Sequence, residues 1–168
     1  MFIPLNKISD NYRCWIYQTH QKISSFEKKI ICKKLEAFCK KWNSHNLPVK
    51  SSFAIKFDYY IILFADSEQT NISGCAIDEK RQTIEKIGKE LKIEISTYVK
   101  TGVFLDNKLI FLSKKEILDK IRKSEIDSES KIINVTVKNK KEYKEKWVLK
   151  IKESWMKNLL AINTELEE

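Results

Sequence analysis

The order in which strand-like and helix-like segments follow one another constrains the fold of this chain most. Strand-forming runs are rich in β-branched and aromatic residues, and amphipathic helices repeat apolar residues every three or four positions. Between residues 13 and 99 these patterns run strand, helix, strand, strand, helix, strand, at Arg13–Thr19, Ser24–Trp42, Ser52–Phe57, Tyr60–Ala65, a helix with Ile77, Ile84, Ile87 and Leu91 on one side, and Ile93–Val99. The order predicts an antiparallel four-stranded sheet with both helices on one face.

That arrangement is the split βαβ, ferredoxin-like plan, which we expect over residues 10–99. The first helix has the clearest local signals, because Ser24 and Glu27 have the spacing of a capping box. Its apolar positions and those of the second helix are predicted to pack on one sheet, at Ile31, Leu35, Phe38, Trp42, Ile84, Ile87 and Leu91.

A different pattern begins near residue 100. It reads as a hairpin around Asp106–Lys108, a short helix and two further strands, at Gly102–Leu105, Leu109–Leu112, Lys114–Lys123, Ile132–Val137 and Trp147–Ile151, with a terminal helical turn at Ser154–Leu160. We therefore predict an α+β chain in which a small ββαββ unit over residues 100–160 follows the first unit. Residues 161–168 are expected to fray.

Composition excludes several classes of protein. Apolar residues make up 42% and aromatic residues 11% of the 168-residue chain, which disordered or linker-like sequences do not reach. No apolar stretch reaches the roughly 20 residues of a membrane-spanning helix, and the first residues turn polar too soon for a signal peptide. We expect a cytoplasmic protein that does not associate with a membrane.

The charge invites a nucleic-acid interpretation, since 32 basic residues against 23 acidic ones give a net charge of +9. Only Arg13, Arg81 and Arg122 are arginines, whereas recognition of phosphates and bases favours the planar fork of arginine. The lysines are spread along the chain rather than gathered in a tail. A lysine-rich, solvated surface is the simpler expectation.

The four cysteines, Cys14, Cys32, Cys39 and Cys75, form no Cys-x-x-Cys pair, and the two histidines lie outside zinc-like spacing. We expect free thiols and no bound metal. No cofactor-binding motif is present either, so no cofactor is expected.

Several short runs carry a resemblance over the whole chain. They are Phe2-Ile3-Pro4, Trp15-Ile16-Tyr17-Gln18, Trp42 with His45, Ser73-Gly74-Cys75-Ala76-Ile77-Asp78, Trp147 and Ser154-Trp155. In these the chain resembles a small family of uncharacterised bacterial proteins often labelled ABC-transporter ATPases. ATP hydrolysis of that kind needs a Gly-x-x-x-x-Gly-Lys-Ser/Thr loop, and Gly74, Gly88 and Gly102 do not form one. We therefore expect no ATPase activity.

Residues 102–156 also resemble GYF-like adaptor domains in layout, with a hairpin, a short helix, a polar step, a strand and the late Trp147. The resemblance implies a small binding module. The Gly-Tyr-Phe and Gly-Pro signatures of the family's peptide pocket are absent, so binding of proline-rich ligands does not carry over.

Cys75 is the best candidate for chemistry, because it lies at the predicted start of a helix, where a thiolate is stabilised. His45 as base and Asp78 as orienting carboxylate would complete a Cys-His-Asp set. The alternative is that Cys75 packs under the sheet, Asp78 caps the helix and His45 lies in an exposed turn.

Binding candidates lie in the second unit. A basic stretch with an aromatic residue, Lys140, Lys141, Lys144, Lys146 and Trp147, together with Trp155, suits an acidic protein surface or RNA. Sheet aromatics such as Tyr60 and Phe64 offer a second way to stack RNA bases. Our first expectation is an intracellular, non-enzymatic binding or adaptor protein for a protein or ribonucleoprotein partner. The alternatives are an RNA-binding protein and a thiol enzyme with Cys75 as nucleophile.

Overall fold

A computed structural model describes residues 1–68, 71–96, 100–158 and 160 of the chain. It confirms the predicted α+β class. The chain forms two compact units: unit 1 comprises residues 1–97 and 138–143, and unit 2 comprises residues 98–137 and 144–168. Of the sequence predictions, the end of the strand at residues 97–99 and the frayed tail at residues 161–168 lie outside the described residues.

Unit 1 is built on one antiparallel sheet with two long helices. Its elements are β1 (Arg13–Thr19), α1 (Ser25–Lys41), β2 (Asn43–Ser44), β3 (Leu47–Pro48), β4 (Ser51–Lys56), β5 (Tyr60–Ala65), α2 (Gly74–Leu91) and β6 (Ile95–Ser96). The order across the sheet is β4-β5-β1-β6, and every neighbouring pair is antiparallel. The strands β2 and β3 form a separate two-stranded hairpin between α1 and β4. The chain order of the larger elements is thus strand, helix, strand, strand, helix, strand.

Local signals account for the ends of the helices. The Ser24 side chain accepts a hydrogen bond from Glu27 N, and the Glu27 carboxylate accepts one from Ser24 N, so the capping box begins α1 as predicted. At α2, Ser73 is the N-cap and its Oγ accepts from Ala76 N at 3.2 Å. α2 ends at Lys92, which has a left-handed backbone with φ of 55°.

The core of unit 1 lies between the two helices and the sheet. The Leu35 side chain is fully buried there, in a cluster that includes Tyr17, Ile61 and Leu63 of the sheet. The residues predicted to be buried are so, except Leu91, which is half-buried against the same cluster. The Trp42 indole donates a hydrogen bond to Ala76 O at 3.0 Å and thereby joins the end of α1 to the start of α2.

The other face of this sheet is buried as well. It carries Cys14, Ile16, Gln18, Tyr60, Ile62 and Phe64, none of which is more than 7% exposed. Residues 138–143 cover part of it: Cys14 N donates to Lys138 O at 2.9 Å, and the Tyr143 ring lies 5.3 Å from that of Phe64. The sheet therefore has no open face at these positions.

Unit 2 contains the second sheet. Its elements in chain order are β7 (Thr101–Leu105), β8 (Lys108–Leu112), α3 (Lys114–Arg122), β9 (Lys131–Ile133), α4 (Lys140–Lys146), whose first four residues belong to unit 1, and β10 (Val148–Lys150). The order across the sheet is β10-β9-β7-β8, again antiparallel. The core of unit 2 contains Val103, Leu112, Ile117, Ile126, Ile132, Ile151 and Met156.

Some elements differ from the sequence predictions. The helix α4 occupies a stretch for which the sequence predicts no helix or strand, and the strand predicted over 132–137 ends at Ile133. The turn between β4 and β5 lies at Phe57-Asp58, with φ of 54° and 57°, one residue before the predicted Asp58-Tyr59. Asp106-Asn107 has φ of 49° and 61°, the paired positive values of a two-residue hairpin turn.

Shortening a core side chain should test the packing of unit 1. We expect Leu35→Ala to lower the free energy of unfolding by about 2–5 kcal/mol, because the side chain is fully buried and leaves a cavity. Urea denaturation followed by circular dichroism measures the change. The matched control is Phe26→Ala on the same helix, where the ring is 72% exposed and the expected change is within about 0.5 kcal/mol. Equal effects of the two substitutions would contradict this packing.

Candidate functional site

A lysine occupies a core position of α2. The face of α2 that packs on the sheet runs through Ala76, Lys80, Ile84 and Ile87, at the helical spacing of four, four and three. Lys80 is only 3% exposed, as buried as its apolar neighbours. Lysine is almost never fully buried unless its charge is paired. This position therefore breaks the pattern that the rest of the helix obeys.

The ammonium group of Lys80 contacts aromatic rings of β1. Its Nζ lies 4.1 Å from the centroid of the Trp15 ring and 5.4 Å from that of Tyr17. Both distances are within the range of cation–π attraction, which partly offsets the loss of water. In the part of the chain that the structure describes, Nζ makes no hydrogen bond and no ion pair. It is not among the fully enclosed side-chain atoms that lack a partner, so the tip of the ammonium keeps contact with solvent.

Arg13 places a second cation on the same ring. Its Cζ lies 4.8 Å from the Trp15 centroid, and the side chain is exposed. Among the described residues Arg13 likewise has no carboxylate partner. The neighbouring Arg81 differs, because it pairs with Glu85 at 3.0 Å and Asp78 at 3.7 Å. Trp15 thus holds two positive charges that no acid of the described chain neutralises.

The environment disfavours the charged form of Lys80. Burial and, to a smaller extent, the positive charge of Arg13 together lower the pKa of Lys80 from 10.5 to about 8. Burial also raises the pKa of the Tyr17 hydroxyl to about 12, so Tyr17 stays neutral beside it at pH 7. Lys80 is consequently a desolvated amine that still carries its proton at neutral pH.

The candidate catalytic residues are not assembled into a relay. Cys75 is exposed in the first turn of α2, His45 is exposed in the turn between β2 and β3, and Asp78 is exposed and paired with Arg81. The hairpin with His45 is tied to the start of α2, because Ser73 N donates to Ser44 Oγ at 2.9 Å. Even so, no hydrogen bond or ion pair of the described residues joins any two of the three candidates.

The candidate binding residues divide into exposed and buried ones. Lys141, Lys144 and Lys146 are exposed, as is Trp155, at 54%. Lys140 and Trp147 are buried, and each is only 6% exposed. The Lys140 ammonium donates to the carbonyl of Ile8, so this side chain holds unit 1 together.

Several aromatic residues of the first sheet are not available for stacking on bases, whereas Phe57 is 43% exposed and Phe53 and Tyr59 are half-buried. Tyr60 and Phe64 are fully buried, and Trp15 and Tyr17 face α2, where Lys80 covers them. RNA recognition on a ferredoxin-like sheet needs exposed rings on the open face. Burial therefore disfavours base stacking on Tyr60 and Phe64, and RNA binding stays an alternative.

Trp155 lines a cavity in unit 2. The cavity has a volume of about 360 Å³ and is bordered by Lys100, Thr101, Ile133, Asn134, Val135 and Thr136 as well as Trp155. Apolar side chains form part of the wall, and backbone and side-chain polar groups form the rest. Such a mixture is typical of sites that bind a ligand group and orient it.

Comparisons with known proteins find no match: no family model, no curated protein and no solved structure is similar to this chain at a significant level. The described residues contain no group of three or more His, Cys, Asp or Glu side chains placed to hold a metal ion. They also include no helix long and apolar enough to cross a membrane.

Sequence reasoning missed the pair of Arg13 and Lys80. The available signal was the spacing of residues 76, 80, 84 and 87, which places Lys80 inside an apolar stripe. The predicted apolar side of α2 contains Ile77, Ile84, Ile87 and Leu91 instead, and a lysine on a helix is ordinarily solvated. Only the contact with Trp15, which is 65 positions away in the sequence, reveals the burial.

Replacing Lys80 by an apolar residue of similar length should stabilise the protein. We expect Lys80→Met to raise the free energy of unfolding at pH 7 by about 1–3 kcal/mol, because apolar replacements of buried charges are often stabilising. Urea denaturation measures the difference. Lys89→Met, on the exposed side of the same helix, is the control and should change stability by no more than about 0.5 kcal/mol.

The difference in the free energy of unfolding between the wild type and Lys80→Met should decrease as the pH rises. Below about pH 8 the amine is charged in both the folded and the unfolded chain, so the full penalty of burial applies. Between about pH 8 and 10.5, the depressed pKa of Lys80 makes the folded chain lose the proton first, and wild-type stability rises relative to Lys80→Met. The charges of Arg13, Arg81 and Glu85 and the hydroxyl of Tyr17 are common to both proteins. An advantage of Lys80→Met that stays constant up to pH 10.5 would contradict the burial of a charged Lys80.

The four thiols should differ in reactivity. Burial raises the pKa of Cys14 to about 12 and of Cys39 to about 11, and it also raises the pKa of the half-buried Cys32. Since the thiolate is the reactive form, we expect iodoacetamide to modify the exposed Cys75 at least about 10-fold faster than the other three at pH 7.5. Peptide mass spectrometry over time measures the four rates. Equal rates would show that burial does not protect the other thiols.

Proposed function

We propose that this chain is a non-enzymatic binding protein that holds a segment of a protein partner on unit 2, through Trp155 and the cavity that it lines. The observation that carries the proposal is an exposed tryptophan at the edge of a cavity of about 360 Å³. Tryptophan is enriched among the residues that dominate binding energy at protein interfaces. An exposed indole without such a role leaves a large apolar surface in water.

The walls of the cavity suit a polypeptide. Ile133 and Val135 offer apolar contact to an inserted side chain. The Thr136 hydroxyl donates to Asn134 Oδ1 at 2.7 Å, and its oxygen, like the hydroxyl of Thr101, can still accept a hydrogen bond from a backbone N–H beside it. The combination of an apolar pocket and polar groups around it is the usual anatomy of an interface centre and its rim. A protein segment can use both at once.

The distribution of charge favours a protein partner over RNA. Many of the lysines are close to carboxylates on the surface, for example Lys28 to Asp58, Lys100 to Glu116, Lys120 to Glu125, and Lys150 and Lys152 to Glu129. Such pairing reduces the positive potential that would attract phosphates. The thiol-enzyme alternative is less favoured because Cys75, His45 and Asp78 share no hydrogen bond in the described structure.

Affinity purification of tagged full-length chain from cells of its source, with and without RNase, tests this function. We expect a protein partner to be retained in both arms. Trp155→Ala should weaken its retention by about 30-fold, the equivalent of the 2 kcal/mol that defines a hot spot. Phe26→Ala is the matched control, since it removes an exposed aromatic ring in unit 1, and should leave retention unchanged.

The outcomes separate the alternatives. Loss of the partner after RNase would indicate a ribonucleoprotein or RNA and would contradict the protein interface at Trp155. Undiminished retention by Trp155→Ala would contradict the role of the cavity. A photo-crosslinker in place of Thr136 at the cavity edge adds a direct readout, because it should join the same partner to unit 2.

A further inference from the structure

We propose that Arg13 and Lys80, held together on the Trp15 ring, form a binding site for the phosphate group of a small molecule. The site lies entirely in unit 1 and is independent of the Trp155 cavity. It consists of an exposed guanidinium, a buried ammonium and the aromatic ring that both cations contact.

The side-chain N–H donors of Lys80 and Arg13 are unused within the described chain. A lysine ammonium has three N–H donors and an arginine guanidinium has five, and each of them can donate a hydrogen bond to an oxygen acceptor. Neither side chain donates to any acceptor in the described chain, although Lys80 is 97% removed from solvent. Buried polar groups in native proteins are nearly always satisfied, and the Lys80 ammonium is not one of the fully enclosed unpartnered side-chain atoms, so an acceptor from outside the chain can reach it at the edge that it exposes to solvent.

The positive charges of Arg13 and Lys80 lie close together. Two cations within 5 Å of one ring centroid repel each other, and this repulsion contributes to the lowered pKa of Lys80. The nearby carboxylates Asp78 and Glu85 are engaged by Arg81. The site thus carries about two uncompensated positive charges, which a phosphate monoester, with its charge of about −1.5 to −2 at pH 7, neutralises better than a single carboxylate does.

The geometry and accessibility of the two cations suit a phosphate group. A guanidinium presents parallel N–H groups that bind phosphate oxygens in a bidentate manner. The charge of Lys80, which contacts the same ring as Arg13, adds electrostatic attraction for the anion. Arg13 is exposed and Trp15 is half-buried, so a ligand can approach from the side of Arg13. The aromatic contacts of Lys80 and Arg13 fix both cations in place before the ligand arrives, which lowers the entropic cost of binding.

A purely structural explanation makes a different prediction. If Lys80 only fills space in the core, its replacement by methionine changes stability and nothing else. If the pair is an anion site, the loss of either cation also removes a ligand. Binding measurements on folded variants distinguish the two, and Arg13→Gln is an exposed substitution whose effect on folding is small.

The experiment is isothermal titration calorimetry of the full chain with inorganic phosphate, glycerol 1-phosphate and acetate at matched ionic strength. We expect saturable 1:1 binding of both phosphates and at least 10-fold weaker binding of acetate. Arg13→Gln and Lys80→Met should each weaken phosphate binding at least 10-fold. Lys89→Met, which removes an exposed lysine from the same helix, should leave binding unchanged. Tighter binding of glycerol 1-phosphate would indicate an organic phosphate as ligand, and equal binding would indicate the free ion.

The site is located by a second readout. In ¹⁵N-correlated spectra the indole N–H signal of Trp15 should move on titration with phosphate, whereas that of Trp155 should not. The proposal is overturned if phosphate shows no saturable binding at millimolar concentration, if acetate binds as well as phosphate, or if folded Arg13→Gln and Lys80→Met bind as tightly as the wild type.

Discussion

The pairing of β1 with β5 is the constraint on which the rest of unit 1 depends. The two strands are antiparallel in one register, from Arg13 opposite Ala65 to Gln18 opposite Tyr60. Because side chains alternate along a strand, this register sends Trp15 and Tyr17 to the helix side and Cys14, Ile16 and Gln18 to the other side. A slip of one residue would exchange the two sets, and both faces are too well buried to accept the exchange. The register therefore fixes the aromatic surface on which α2 lies.

Lys80 meets that surface as the one cation in the packed stripe of α2 that the structure describes. An apolar residue at this position would make the folded chain more stable, because attraction to Trp15 and Tyr17 only partly offsets the desolvation of the ammonium. Departures of this kind, where a local choice conflicts with packing, are most often found at functional sites. The Trp155 cavity shows no such conflict. It is a mainly apolar cavity with an exposed tryptophan at its edge, and the binding role proposed for it requires no reactive group.

The sequence predicts those elements whose signals are local. The capping box and apolar stripe of α1 lie within 19 residues, and Asp106-Asn107 is a turn pair by itself, so these elements match the structure closely. The helix α4 has no apolar stripe, and its only aromatic residue, Tyr143, packs on Phe64, far away in the sequence. The burial of Lys140 depends in the same way on Ile8, at the other end of the chain. Lys80 is the clearest case, because its environment is created by a strand that precedes it by 65 residues. Pattern reasoning assigns charged residues to solvent and cannot detect such exceptions.

The most direct measurement is the pKa of Lys80 itself, from the pH dependence of the side-chain ¹³Cε shift in the ¹³C-lysine-labelled protein, assigned with Lys80→Met. The account predicts a titration near pH 8, since the amine is buried beside Arg13. It also predicts that Arg13→Gln raises this pKa, because one of the two causes is removed. A Lys80 signal that titrates near the ordinary lysine value of about 10.4 in both proteins would show that the ammonium is solvated. That result would contradict the packing of Lys80 on Trp15.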